Sequence, residues 1–324
     1  MKAADLSHAA THATAQATTR PTARATTRVM SCSASIVITG DAAQIDQLTE
    51  RAVARLEQLE QRWSRFLPTS EITGLNDAQG EARTASSDTV RLVRSLVQAW
   101  HATAGAFDPT LLGTLVELGY AASRDDAALR TSLAATAQPQ GRPDQILIDP
   151  DTGWIRLPPG TTLDPGGLGK GLAADIVVEQ LMLEGATGAL VEVGGDVRVS
   201  GDPPHGDAWT ISIAPAFDGD PSRTVRLQDG GIATSTSRLR TWNQHGEQRH
   251  HLVDPATLRP SDTDAVSCSV VAGTAAWAEA FTKVAFTERC DTSIEQFDRR
   301  RLAASIITTD RRRVDSAAWQ EFWA

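Results

Sequence analysis

Apolar residues recur along this chain at two different periods, and the change from one to the other separates helices from strands. Ile45, Leu48, Ala52, Leu56, Leu59 and Trp63 follow one another at three and four residues, as do Val90, Val93, Val97 and Trp100. Both runs predict helices with one buried face, the first capped by Asp41, the second by Ser86 or Ser87 and ended by Gly105. Val29 to Thr39 alternates and predicts a first strand, and a polar loop follows the first helix from Leu67 to Thr84. The Phe107-Asp108-Pro109 turn leads into a short helix at Thr110, and residues 121–143, rich in Ala, Asp and Arg, leave room for another. Ile146-Leu147-Ile148 and Trp154-Ile155-Arg156-Leu157 flank an Asp-Pro-Asp-Thr-Gly turn and predict a hairpin. Leu172 to Leu183 predicts a helix, with strands after it near 188, 197, 209, 224, 250 and 266. Helices at 274–285 and 293–300 and a strand at 303–308 complete the pattern. Helices fall in blocks between runs of strands, so the expected class is α+β, a single domain of mixed sheets with flanking helices.

Composition adjusts this picture at the ends of the chain. Residues 1–28 alternate Ala, Thr, His and Arg without an apolar period, so a disordered tail is expected there and the folded domain at 29–324. The tail lacks the continuous apolar run of a secretory signal and Arg28-Val29-Met30-Ser31 is no lipoprotein signal, so the chain as written is expected in the cytoplasm, off the membrane. A net charge of −9 argues against nonspecific nucleic-acid binding. Cys32, Cys268 and Cys290 match no metal or redox spacing.

The chemistry concentrates in Leu163-Asp164-Pro165-Gly166-Gly167-Leu168-Gly169-Lys170-Gly171-Leu172-Ala173-Ala174-Asp175, a glycine turn, one lysine and two flanking aspartates ahead of a helix. Glycines let a backbone approach an anion, and a helix N-terminus points free N–H groups at it. Of 31 basic residues only Lys2, Lys170 and Lys283 are lysine, so a compact charge is expected to matter at Lys170. A cation at a helix start is disfavoured unless an anion offsets it, which suggests phosphate. A nucleoside-triphosphate loop would need glycine six positions before the lysine and Ser or Thr after it, where this chain has Asp164 and Gly171, and no dinucleotide fingerprint occurs either.

Five further segments accompany this one. They are Phe66-Leu67-Pro68-Thr69-Ser70-Glu71-Ile72-Thr73-Gly74-Leu75-Asn76, Gly105-Ala106-Phe107-Asp108-Pro109-Thr110, Val193-Gly194-Gly195-Asp196, Arg249-His250-His251-Leu252-Val253-Asp254-Pro255 and Ala276-Trp277-Ala278-Glu279-Ala280-Phe281-Thr282-Lys283. In this order the set resembles the FAD:protein FMN transferase (ApbE) family, from about Met30 to Phe286. The resemblance implies transfer of FMN from FAD to a Thr or Ser hydroxyl of a partner protein, with release of AMP and assistance from Mg²⁺. FAD pyrophosphatase activity or a flavin-binding module without turnover would use the same pocket.

Residue by residue, the resemblance places Met30 and Phe66 against FAD, Asn76 near it, Ala106, Phe107 and Asp108 in its wall, and Val253 at a flavin-pocket backbone position. Met30 reads equally as core at a strand start, and Asp108 before Pro109 as a helix cap. Asp164 is implied on the flavin nucleotide and Lys170 on its diphosphate. Neighbouring strand residues face opposite ways, so at most one of the paired histidines faces a site. The resemblance selects His251, leaving His250 exposed, with His251 or Asp254 orienting or deprotonating the acceptor hydroxyl. For Mg²⁺ it implies the Gly167 carbonyl, Glu279 and Thr282. The chain departs from the family pattern at Glu279, where Asp is usual, and at Lys283, where Thr is usual. Lysine cannot ligate a cation and repels it, and the i, i+4 spacing pairs it with Glu279 instead.

Overall fold

A computed structural model describes residues 20–322 apart from His245. Its frame is one eight-stranded sheet: Thr22–Val29 (β1), Cys32–Thr39 (β2), Gly188–Val193 (β3), Asp196–Gly201 (β4), Gly230–Thr236 (β5), Ala265–Ala272 (β6), Ala303–Thr308 (β7) and Arg313–Asp315 (β8). The strands lie in chain order and every neighbouring pair is antiparallel. Among the described residues seven α-helices fill the connections: Ile45–Trp63 (α1), Glu71–Asn76 (α2), Ser87–Ala102 (α3), Leu112–Glu117 (α4), Gly169–Leu183 (α5), Ala275–Phe281 (α6) and Cys290–Arg300 (α7).

Strand side chains alternate between faces, and both faces of the central strands are covered. Ile36 and Ile38 of β2 join a core with Leu56, Leu59 and Trp63 of α1 and Leu172 and Val177 of α5. Val37, between them, joins the opposite core, built on the hairpin Trp209–Ile213 with Arg223–Leu227 and closed by Trp319. The α+β class and the single domain expected from the pattern are therefore what the chain forms, with the hairpin around Asp149 and Gly153 in a small three-stranded sheet.

Several boundaries differ from the expectation. The first strand is a hairpin, and β1 lies inside the segment expected to be tail, so order begins before residue 29; residues 1–19 lie outside the described residues. β1 carries no apolar alternation because it is an edge strand, held by backbone pairing with β2 more than by its own side chains. Asp41 does not cap α1: its carboxylate accepts from Ala43 N and its carbonyl from Gln44 and Ile45 N, a turn that precedes the helix. Ser86 does cap α3, accepting from Thr89 N. Residues 121–142 form no helix, only a bridge between Ala122 and Arg130, and a 3-10 turn follows at Pro143–Gln145. The helix expected at 274–285 is α6 followed by a 3-10 turn, Thr282–Phe286. β5 had no sequence signal, since Gly-Gly-Ile-Ala-Thr-Ser-Thr is small and polar. Its glycine is required by packing: a Cβ on Gly231 would lie 2.3 Å from Ala275 N at the start of α6.

Candidate functional site

Strict antiparallel order sends alternate connections to the same end of the sheet. The β1–β2 turn, the β3–β4 turn and the β5–β6 connection meet there, and α5 begins where α6 finishes. One cleft opens at this end, lined by Met30, Gly194, Asp196, Ser235, His251 and Lys283 among others. Met30 and Ser31 form the β1–β2 turn with φ of 52° and 57°, the left-handed pair that a two-residue hairpin of this hand requires, so Met30 stands at a rim and not at a strand start.

The floor of the cleft is a buried ion cluster. Lys170, the second residue of α5, pairs with Asp196 Oδ2 at 2.6 Å and with Glu279 Oε1. Burial disfavours its charge, but Asp196 and Glu279 outweigh that and hold the ammonium above its ordinary pKa. Burial likewise raises Glu279, yet Lys170 and Lys283 overcome it and keep the carboxylate ionised. Asp196 is raised, by burial and then by Glu279. The anion that offsets Lys170 at its helix start is thus the protein's own carboxylate pair, which corrects the expectation of a lysine free for phosphate. α6 is fixed against α5 by Asp175, which accepts from Ala275 N at 2.8 Å and Ala276 N at 2.9 Å, and by Gly171, where a Cβ would meet Ala275 O at 2.5 Å.

One wall is aromatic and cationic. The Arg65 guanidinium lies 4.2 Å from the Phe66 ring centre and 4.7 Å from that of Tyr120, which stacks on Trp242 at 5.3 Å. Arg65 also reaches Asp164 Oδ1 at 3.6 Å. Ala106, Phe107, Asp108, Asp164 and Gly167 all line the cleft. Asp108 accepts from Thr110 N and Thr110 Oγ1 with one oxygen and from Gln140 with the other, so it also fastens its turn. Asn76 does not line the cleft. It is buried, accepting from Leu163 N at 2.7 Å and donating to Leu163 O at 3.0 Å, a clamp on the residue before Asp164.

His251 follows the ribbon Thr241–Gln244 with Glu247–His250, which Trp242 ties to Leu118 O and Gln244 to Glu117 O. His251 and Val253 line the cleft, and no described residue bonds the buried His251 Nδ1. Burial, then the charges of Arg240, Lys283 and Lys170, hold the His251 imidazole well below its ordinary pKa and therefore neutral. His250 is half-buried, not exposed, because its Nε2 meets Ser261 O at 3.2 Å. Asp254 is not in the cleft lining; its carboxylate accepts from Ala256 N and Thr257 Oγ1 in a turn, so it does not stand beside His251 as a second base.

The donors implied for Mg²⁺ do not fit one. Glu279 has Oε1 on Lys170 and Oε2 on Gly171 N at 2.9 Å, and the fully buried Thr282 hydroxyl is held by Glu279 O and Ser235 Oγ, both at 2.6 Å. Lys283 Nζ lies 4.0 Å from Glu279 Oε1, as the i, i+4 spacing anticipated, and donates to Glu279 O at 3.0 Å. A hard divalent cation needs a shell of oxygens, and an ammonium stands among these. No group of three His, Cys, Asp or Glu side chains suited to a metal occurs among the described residues.

Arg65, Tyr120, Asp196, Ser235 and Arg240 are among the cleft residues not assigned to the site from the sequence. Asp196 had a signal, the Gly194-Gly195-Asp196 turn, whereas the Arg65–Tyr120–Trp242 stack joins three distant segments and left none.

An antiparallel sheet in chain order, with alternate connections building a cleft at one end, defines the α+β fold of this chain. Solved structures share it: the ApbE protein of Thermotoga maritima superposes with a TM-score of 0.82 at 21% identity, covering 94% of this chain and 99% of that one. The flavin transferase ApbE of Vibrio cholerae gives 0.77 at 19%, covering 94% and 99%. The ApbE family model matches residues 30–306, and the chain belongs to the ApbE family. Among curated relatives, FAD:protein FMN transferases of Klebsiella pneumoniae and Treponema pallidum are each 29% identical, over 68% of this chain and 71% of theirs, and over 79% and 75%. That of Escherichia coli K12 is 27% identical over 83% and 79%. No described helix is long and apolar enough to cross a membrane.

Proposed function

We propose that this protein transfers FMN from FAD to a Thr or Ser hydroxyl of an acceptor protein. The acceptor oxygen attacks the phosphorus on the FMN side and a new P–O bond forms. The bridging P–O bond breaks, and AMP leaves with the bridging oxygen. The hydroxyl proton passes to the neutral His251 imidazole. FAD lies with its flavin toward Phe66 and Phe107 and its diphosphate over the ion cluster. The observation that carries the reading is His251: a neutral imidazole with an unpaired nitrogen, lining the same cleft as the Lys170–Asp196–Glu279–Lys283 ion cluster. Phosphoryl transfer depends chiefly on positioning and on charge placed where negative charge develops.

The experiment incubates the protein with FAD and candidate flavoprotein domains, measuring AMP by chromatography and protein-bound flavin fluorescence after denaturation. AMP appearing in step with a fluorescent acceptor band supports the reading. AMP with free FMN and no labelled protein would assign a pyrophosphatase, and bound FAD without AMP a binding module.

A further inference from the structure

We infer that the Lys283 ammonium stands in for a divalent cation at the FAD diphosphate, so that flavin transfer by this chain is independent of Mg²⁺. The inference rests on the flavin-transfer reading above and concerns the same cleft.

Three observations carry it. Lys283 lies in the 3-10 turn after α6, and its Cε lies 3.3 Å from where a Gly167 Cβ would be, so the side chain spans from Glu279 to the glycine turn. Its Nζ donates to Glu279 O at 3.0 Å and to Ser235 Oγ at 3.3 Å, which fixes the ammonium and leaves one of its three N–H groups for the cleft. The carboxylates that a metal would use are committed: Asp196 is paired with Lys170, and Glu279 with both Lys170 and Lys283. A divalent ion added here would face two ammonium groups and displace Lys170 from Glu279. A lysine is a compact point charge suited to phosphate oxygens, and a fixed one stabilises charge as phosphoryl transfer proceeds.

The test measures AMP release and FAD binding, the latter by flavin fluorescence, for the unmodified protein and for Lys283→Thr and Lys283→Arg, in EDTA and across a Mg²⁺ titration. The unmodified protein should show the same rate and the same FAD affinity in both media. Lys283→Thr in EDTA should lose about 10²-fold in rate, the scale of removing one electrostatic donor, and regain it with saturable Mg²⁺ dependence. Lys283→Arg should retain metal-independent FAD binding, which separates charge from folding. Rate or FAD affinity that rises saturably with Mg²⁺ in the unmodified protein overturns the inference while leaving flavin transfer standing. Should AMP be absent in every medium, the functional reading fails, and the FAD-affinity arm still decides the role of Lys283.

Discussion

Replacing Asn76 with alanine decides whether this residue serves the ligand or the backbone. Its amide makes two buried hydrogen bonds, at 2.7 and 3.0 Å, to the N–H and C=O of Leu163, itself wholly buried. Each bond contributes about 1 kcal/mol net, and a buried group left without a partner costs about 1–3 kcal/mol. Alanine offers neither donor nor acceptor, so both Leu163 groups lose their partner together, and the stability loss should be about 2–4 kcal/mol. Urea unfolding followed by tryptophan fluorescence should show a lower midpoint with an unchanged slope, since the surface exposed on unfolding stays the same. FAD affinity should fall as well, because Asp164 is the next residue after the clamp and stands in the cleft. The reasoning fails if stability falls by less than about 1 kcal/mol while FAD affinity drops. That result would make Asn76 a ligand contact reached through a rearranged turn.

Two further substitutions and a truncation probe the rest of the site and its frame. His251→Ala should lower the transfer rate by roughly 10²- to 10⁴-fold with FAD affinity kept, whereas His250→Ala should lose about 1 kcal/mol of stability with its Ser261 bond and keep the rate; equal rates of loss would refute the assignment. Because the His251 pKa is depressed, the imidazole takes its proton only at lower pH, so the rate should hold as pH falls through about 6.5 and decline only below that. A His251-dependent limb at or above that value in the pH–rate profile would contradict the buried, neutral ring. Deleting residues 1–27 should lower the melting temperature, since it removes most of β1 and leaves β2 with an open edge; an unchanged melting temperature would show that the edge pairing carries no stability.

The long amphipathic helices were readable because burial of one face writes a period into the chain, and α1 and α3 appear at their expected places. β5 and β1 were unreadable for opposite reasons. β5 needs small residues under α6, and β1 needs almost no apolar ones at the sheet edge. In the site, the scarcity of lysine drew attention to Lys170 and the departure from the family pattern drew it to Lys283, and both line the cleft. What Lys170 pairs with could not be inferred from spacing, because Asp196 lies across a strand turn and Glu279 is 109 positions away. Asn76 and Asp254 differ from their expected places for separate reasons: Asp254 follows the cleft residue Val253 but spends its carboxylate on its own turn, whereas Asn76 spends its amide on the distant backbone of Leu163, the residue before Asp164.

The order of the strands also dictates a schedule. β1 and β2 are adjacent in the chain, but the next partner of β2 begins at Gly188, which pairs with Thr39. At ribosomal speeds of roughly 5–20 residues per second, the growing chain carries that open edge for on the order of ten seconds. The helices made meanwhile, α1 to α5, can shield one face of the hairpin but not its edge. Glu279 and Lys283 are synthesised later still, so Lys170 has Asp196 but lacks its second carboxylate partner until α6 arrives. The nascent protein therefore lacks a complete cleft until α6 and the turn after it have left the ribosome, so on the flavin-transfer reading FAD capture would report the arrival of α6.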